Sequence, residues 1–216
     1  MSIFSVLFDF IIHIDDYLGL IIDTYGVASY LILFIIIFLE TGLVITPFLP
    51  GDSLIFVAGA FAARGVIDVF LLFFVFASAA ILGDTVNYWV GEYSGSKIEN
   101  SRLLKKEYLN RTKEFYKKHG GKTIIFARFI PIIRTFAPFI AGIGKMDYIR
   151  FLAFNVVGGI IWVGLFIFSG FYFGQIEVVQ ENLTFIIMLI ILLSFLPPLI
   201  EFFKNKKSTN KLAIMS

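Results

Sequence analysis

The stretch FARFIPIIRTFAPFIAG, from Phe126 to Gly142, places two arginines in an otherwise largely apolar part of the chain. Arg128 and Arg134 stand six positions apart, and Pro131 lies between them. An arginine at the centre of a membrane helix costs about 2.5–3.5 kcal/mol on insertion scales. Membrane proteins keep such residues where they face a polar cavity or an opposite charge. The stretch therefore indicates a broken membrane segment with a functional site at the break.

The composition identifies an integral membrane protein. Of the 216 residues, 58% are hydrophobic, only 16% are charged, and 27 are phenylalanine. A soluble domain of this length could not bury that much apolar surface. The chain has no cysteine, which excludes disulfides and thiolate metal sites, and its two histidines lie far apart. We therefore expect no metal and no cofactor.

Charged residues are distributed unevenly along the chain. Residues 97–122 hold nine Lys or Arg against three Glu, and residues 201–216 hold four Lys and one Glu. Residues 1–26 hold four Asp and no basic residue, and residues 174–182 hold two Glu and no basic residue. The positive-inside rule predicts that the central linker and the C-terminal tail are cytoplasmic and that both acidic segments lie outside.

The N-terminal segment 1–26 carries polar residues every three or four positions, which is typical of an amphipathic helix lying in the membrane interface. Six apolar stretches follow it. A full crossing needs about 20 apolar residues, so not every stretch is long enough to cross alone. The stretches are 27–46, 53–63, 69–91, 123–142, 148–173 and 183–200.

Two parts of this pattern predict re-entrant hairpins. Stretch 53–63 is too short to cross and follows 27–46 through PFLPGD (Pro47–Asp52), so the chain is expected to turn within the membrane. Between the two basic, cytoplasmic segments the number of crossings must be even, yet three apolar stretches lie there. Segment 123–144, with its arginines and prolines, is therefore the second hairpin, and the two stretches after it cross.

The predicted fold class is an all-α integral membrane protein with two inverted repeats, each a re-entrant hairpin plus a transmembrane helix, with an extra C-terminal transmembrane helix. Broken helices that meet within the membrane are the architecture of secondary transporters. The N-terminal segment 1–26 precedes one transmembrane domain, 27–203, and a basic cytoplasmic tail, 204–216. The domain comprises repeat one (27–93), the basic linker helix (97–122), repeat two (123–173) and a final span (183–203).

Four motifs occur in order over most of residues 27–165. They are ETG at Glu40–Gly42, PFLPGDSL at Pro47–Leu54, GDTVNYWVGEYSG at Gly83–Gly95, and the arginine stretch quoted above. Together they resemble the DedA family, the bacterial members of the VTT-domain (SNARE-associated Golgi) superfamily. The resemblance implies a polytopic bacterial transporter of lipid-linked substrates that recycles undecaprenyl phosphate and depends on the proton motive force.

The resemblance also implies which residues act. Glu40 and Asp52 match the family's functional acid pair, and Arg128 and Arg134 match its functional arginines. A guanidinium offers a planar fork of donors that suits phosphate oxygens, and it stays charged at any working pH. Helices broken at Pro131 and at PFLPGD would add backbone N–H groups to the same anion site. The alternative is an ion pair between an arginine and Glu40 or Asp52 that serves structure alone.

Further polar residues in apolar surroundings are candidates for the same site. Glu40 ends the run LILFIIIFLE, where burial disfavours the ionised carboxyl, so it is a candidate for the coupled proton. Asp52 is a second proton and substrate candidate, or simply the N-cap of the helix that follows. Asp84 could line the cavity or hydrogen-bond across helices. Tyr88 could contact substrate, or pack as an interfacial aromatic.

The resemblance, together with these residues, therefore predicts a proton-linked flippase that moves a lipid phosphate across the bacterial inner membrane, with undecaprenyl phosphate as the preferred substrate. Its partners are the lipid and protons, with no nucleic acid, and oligomerisation is left open. We expect no enzyme, because no apolar segment beyond residue 26 holds a histidine for nucleophilic or metal chemistry. The alternatives are a phospholipid scramblase without proton coupling and a proton or cation antiporter that uses the same acids.

Overall fold

A computed structural model of the protein describes residues 14–43, 51–99 and 121–182, together with residues 185, 186, 188 and 189. Within these ranges the secondary structure is helical, with no strand. Several predicted segments lie outside the described residues: 1–13, 44–50 with most of the PFLPGD turn, most of the linker 97–122, most of the final span 183–203 and the tail 204–216.

Among the described residues, three stretches are long and apolar enough to cross a membrane, namely Ile14–Gly42, Val69–Gly95 and Tyr148–Phe173. In chain order the helices are α1 (Ile14–Tyr25), α2 (Ser29–Gly42), α3 (Gly51–Ala63), α4 (Val69–Glu99), α5 (Lys122–Ala127), α6 (Pro131–Ile143), α7 (Tyr148–Phe173) and α8 (Glu177–Glu181).

A 3₁₀ turn at Gly26–Ala28 separates α1 from α2. Gly26 has φ +51°, a left-handed conformation that favours glycine and lets the chain change direction. Helix α1 packs against α3, and its Gly19 faces the ring of Phe61. The described part of the N-terminal segment therefore packs into the bundle, where the sequence predicted a helix lying in the interface. The buried residues of α1 recur at every turn: Ile14, Leu18 and Ile22.

We call α2 and α3 the first helix pair, and α5 and α6 the second. One helix of each pair packs along the long helix that follows the pair in the chain. Helix α2 runs beside α4 in the same direction, since the N–H of Asp68 donates to Tyr30 Oη at 2.9 Å and Gly42 approaches Gly83 further along. Helix α5 likewise runs beside α7 in the same direction, since Gly121 approaches Phe154 and Ile125 approaches Gly158 further along.

The other helix of each pair packs on the long helix of the other half. Helix α6 lies along α4, where a Cβ added to Gly91 or Gly95 would press on the backbone of Phe139 or Ile143. Helix α3 lies along α7, again through backbone contact at glycines. Small residues permit such close approach of helices. Each long helix therefore contacts both helix pairs.

Buried polar residues lie at this junction, while large apolar side chains on α2, α4 and α7 remain exposed, as expected of surfaces that face lipid. The larger apolar cluster is built from α1 to α4 and α7, and a smaller one forms around Tyr88 and Phe151. Besides Ser29, the fully buried polar residues in the described ranges are Glu40, Thr41, Ser53, Asp84, Asn87, Arg128, Arg134, Thr135 and Asn155.

Candidate functional site

Arg134, in the first turn of α6, pairs with two carboxylates of the first helix pair. Its Nη1 donates to Asp52 Oδ1 at 2.7 Å, and its Nη2 donates to Glu40 Oε1. Arg134 and Glu40 are almost completely buried, whereas the side chain of Asp52 keeps 13% of its exposure. The forked guanidinium thus ties α2, α3 and α6 together, and Asp52 is the less buried of its two acids.

The first residue of α3 brings Glu40 into place. The N–H of Gly51 donates to Glu40 Oε1 at 3.3 Å, and a Cβ at Gly51 would overlap the Glu40 carboxylate. A free N–H at a helix N-terminus favours a negative charge at this position. Asp52 lies inside the first turn of α3, and its Oδ1 is bonded to Arg134. Asp52 therefore forms an ion pair that joins α3 to α6.

Arg128 lies in the turn between α5 and α6 and contacts both long helices. Its Nη2 donates to Asp84 Oδ2 on α4 and to Asn155 Oδ1 on α7. The amide nitrogen of Asn155 donates in turn to the Ile81 carbonyl at 3.0 Å and lies 3.4 Å from Thr85 Oγ1. Arg128 and Asp84 thus form a second ion pair, which the asparagine holds between α4 and α7.

The indole of Trp162, on α7, links the two arginine groups. Its Nε1 donates to Asp52 Oδ1 at 2.9 Å. The Cζ atoms of Arg134 and Arg128 lie 4.7 Å and 6.0 Å from the ring centroid, within the range of cation–π attraction. Trp162 is fully buried. Sequence reasoning missed this role, because the apolar context of Trp162 does not distinguish it from a packing aromatic.

Asn87, on α4, connects the backbones that carry the Glu40–Arg134 pair. Its Nδ2 donates to the carbonyl of Thr135 at 2.7 Å and to that of Thr41 at 3.3 Å. Each threonine directly follows a member of the ion pair in the chain. Asn87 was also missed, although an asparagine within the apolar α4 is a signal of a buried polar contact.

The cluster brings together two positive and three negative side chains, with a formal net charge of −1 when every carboxyl is ionised. Burying charges is costly unless each is paired and hydrogen-bonded. Several atoms of the cluster have no hydrogen-bond partner among the described residues: Glu40 Oε2, Asp84 Oδ1, Arg134 Nε, and Nε and Nη1 of Arg128. The cluster therefore has donors that can receive an anion and carboxylate oxygens that can receive a proton.

Tyr88 lies apart from this cluster. Although it is one helical turn beyond Asp84, its hydroxyl donates to the carbonyl of Met146, and its ring stacks on Phe151 with centroids 4.5 Å apart. The structure therefore places Tyr88 in packing contacts against the start of α7, whereas Asp84 lies within the charged cluster.

Pro131 is the first residue of α6. Its nitrogen carries no hydrogen, so this residue adds no donor to the anion site and acts by ending the turn that holds Arg128. The described residues contain no group of three or more His, Cys, Asp or Glu side chains that could hold a metal ion. The side chains described at this site supply guanidinium, carboxylate, amide and indole groups.

Fold and site together define a polytopic helical membrane protein whose interior holds paired arginines and carboxylates. Residues 49–172 match the VTT domain family. The chain is 50% identical to Protein DedA of Escherichia coli K12, over 99% of this chain and 100% of that protein. It belongs to the DedA family, as its motifs predicted.

Two more distant relatives are also named as membrane proteins. An uncharacterized membrane protein of Mycobacterium leprae is 43% identical over 83% of this chain and 82% of its own length. Inner membrane protein YqjA of Escherichia coli K12 is 35% identical over 69% of each chain. No solved structure matches the chain.

Proposed function

We propose that this protein is a proton-linked carrier that moves undecaprenyl phosphate, or a closely similar lipid phosphate, across the bacterial inner membrane. The observation that carries the proposal is the burial of two arginines with three carboxylates where the two helix pairs meet. Ionisable residues inside a membrane protein are expensive and usually mark a transport pathway. The inner-membrane location is supported by the name of the relative YqjA.

The proposal includes two inverted repeats, in which each helix pair is a re-entrant hairpin. One helix of each pair packs on the long helix of the other half, since α3 lies on α7 and α6 lies on α4, and this packing supports the inverted repeat. Each pair is followed by one of the long helices, and both pairs bring charged residues to one cluster. In this arrangement the linker 97–122 and the C-terminal tail are cytoplasmic, as their basic residues predict.

Arginine is the side chain best suited to a phosphate ligand in such a site. Arg128 and Arg134 are both almost fully buried and both retain N–H donors without a partner in the described residues. Charge-assisted bonds from guanidinium to phosphate are strong and two-pronged. Binding an anionic headgroup here would replace bonds that the arginines now make to carboxylates.

The charge balance of the cluster supports the proposal of proton coupling. Three carboxylates face two arginines, so one added proton makes the cluster neutral. Glu40 is our choice for that proton, because it is fully buried and its Oε2 has no partner in the described part of the chain. A phosphate that enters the cluster adds negative charge beside the carboxylates and would favour protonation of one of them, and this electrostatic coupling links the two movements.

The test is transbilayer movement of undecaprenyl phosphate in vesicles that contain the purified protein, with and without an imposed pH gradient. We expect the protein to accelerate the movement and the gradient to accelerate it further. Protein-free vesicles and vesicles with an Arg128→Ala, Arg134→Ala double variant are the controls. A neutral fluorescent phospholipid and an ion-sensitive dye in the same vesicles report the alternative activities.

Each outcome separates the candidate functions. Lipid movement that ignores the gradient would indicate a scramblase. Proton or cation flux without lipid would indicate an antiporter. If wild type moves undecaprenyl phosphate no faster than empty vesicles do, the carrier proposal is wrong.

A further inference from the structure

The two arginines of the cluster are paired in different ways. Arg134 uses Nη1 and Nη2 on two different carboxylates, Asp52 and Glu40. Arg128 uses Nη2 alone, and shares it between one carboxylate, Asp84, and the neutral amide of Asn155. The group around Arg134 has a formal net charge of −1, and the group around Arg128 is neutral. An incoming anion is therefore repelled less at Arg128.

The unused hydrogen-bond donors are also concentrated on Arg128. Two nitrogens of Arg128, Nε and Nη1, lack a partner among the described residues, whereas in Arg134 only Nε lacks one. Arg128 is 1% exposed, so this unused capacity lies in the interior, where leaving donors unpaired is costly.

Helix α7 presents no side chain where it passes these donors. A Cβ at Gly158 would lie 3.2 Å from Arg128 Cδ and 3.3 Å from its Nε. A Cβ at Gly159 would lie 3.6 Å from both Cζ and Nη1 of Arg128. The two successive glycines therefore let the backbone of α7 pass close to the Nε and Nη1 atoms of the guanidinium.

We propose that Arg128 is the receptor for the substrate phosphate and that Asp84 is the internal counter-ion which the phosphate displaces. Arg134 keeps Glu40 and Asp52 in the phosphate-bound state, so the anion and the proton are handled by different arginines. This assignment rests on the proposed lipid-phosphate function and deepens it by giving the two arginines different roles. Trp162 lies beside both arginines, so its fluorescence can report phosphate binding at Arg128 and a change at Arg134.

The experiment measures the binding of decyl phosphate, a single-chain alkyl phosphate, to the full chain in nanodiscs at fixed pH. The chain has two tryptophans, so a Trp89→Phe background leaves Trp162 as the sole fluorescent reporter. Decyl trimethylammonium controls for nonspecific insertion of the alkyl chain. Arg128→Gln is expected to abolish binding of decyl phosphate.

The decisive comparison is between two variants that each remove one negative charge. Asp84→Asn removes the competitor for Arg128 and is expected to tighten decyl phosphate binding about tenfold. Asp52→Asn removes a charge beside Arg134 and is expected to tighten binding by less than about threefold. A purely structural Asp84 predicts the opposite sign, because its loss would disorder Arg128 and weaken binding.

A second variant keeps the proposal testable if Asp84→Asn does not insert. Asn155→Asp places another carboxylate on Arg128 Nη2 and is expected to weaken decyl phosphate binding about tenfold. Unchanged or weaker binding of decyl phosphate by Asp84→Asn, or unchanged binding by Asn155→Asp, would overturn the assignment. In either case, phosphate binding to the wild type would still support the carrier. Absence of binding to wild type would overturn both the assignment and the carrier.

Discussion

Asp52 and Arg134 stand 82 positions apart in the chain, yet Asp52 Oδ1 and Arg134 Nη1 lie 2.7 Å apart in the interior. The same carboxylate oxygen accepts a hydrogen bond from Trp162 Nε1 at 2.9 Å. One atom thus joins α3 of the first helix pair, α6 of the second and the long helix α7. Any movement of one pair relative to the other must break or exchange these bonds, which makes this contact a sensitive point for transport.

The geometry of the Arg134 guanidinium is predicted to matter beyond its charge. In Arg134→Lys a single ammonium replaces a fork that reaches Glu40 and Asp52 with different nitrogens. We expect undecaprenyl phosphate transport to fall by about tenfold or more in vesicles, while the protein still inserts. The measurement is the initial rate of transbilayer movement at equal amounts of reconstituted protein.

Arg150→Lys is the matched control for that substitution. Arg150 is exposed near the start of α7, outside the cluster, and the same replacement there should leave transport unchanged. Full transport by an Arg128→Ala, Arg134→Ala double variant would contradict any role for the arginines in binding the lipid.

Glu40→Gln is predicted to uncouple lipid movement from the proton gradient. The amide imitates the protonated carboxyl permanently, so the variant should still bind a lipid phosphate but should not respond to an imposed pH gradient. Glu40→Asp keeps the charge on a shorter side chain and should retain part of the response. Transport is measured in paired vesicles with and without the gradient. If Glu40→Gln follows the gradient as wild type does, Glu40 is not the coupling group, and Asp52 becomes the next residue to test.

Gly51→Ala is predicted to disturb the site from the backbone side. The added Cβ would overlap the carboxylate of Glu40, which must then move away from Arg134. Overpacking of this kind typically destabilises by about 1–3 kcal/mol. The thermal unfolding midpoint in detergent should fall, together with transport. Gly164→Ala is the control, since its Cβ would make contacts of 3.6 Å or longer and should be tolerated.

Trp162→Phe is predicted to weaken the cluster through one lost hydrogen bond. Phenylalanine keeps an aromatic ring near the arginines but cannot donate to Asp52. A hydrogen bond to a charged group contributes about 1.5–3 kcal/mol, so the unfolding midpoint should fall by several degrees. Trp89→Phe, at a half-exposed position, should have little effect. Equal midpoints for the two variants would show that the indole N–H does not stabilise the cluster.

The orientation of the chain is predicted from charge alone and is tested by labelling. Cysteines introduced at Lys105 and Lys207 should both be protected from an impermeant thiol reagent in intact cells and react once the membrane is opened. The natural chain has no cysteine, so no background needs to be removed. Reaction of only one position in intact cells would break the parity that makes segment 123–144 a hairpin.

Local patterns predicted much of the fold. The apolar stretches around residues 69–91 and 148–173 became the long helices α4 and α7, and short helices begin at Gly51 and Pro131 beside the predicted breaks. The N-terminal segment is where the pattern was insufficient. An amphipathic stripe reveals that one face of α1 is apolar, but not whether that face meets lipid or, as observed, helix α3.

The sequence by itself determined the membrane class, the family, the order of long and short helices, and the identity of the acids and arginines. These follow from hydropathy, from proline and glycine positions and from motifs, all of which are local. Only the tertiary structure decided that Arg134 takes Glu40 and Asp52 while Arg128 takes Asp84, and that Trp162 lies between them. The physical reason is that the partners come from distant helices, whose relative depth and rotation are set by close backbone packing at glycines rather than by any local pattern.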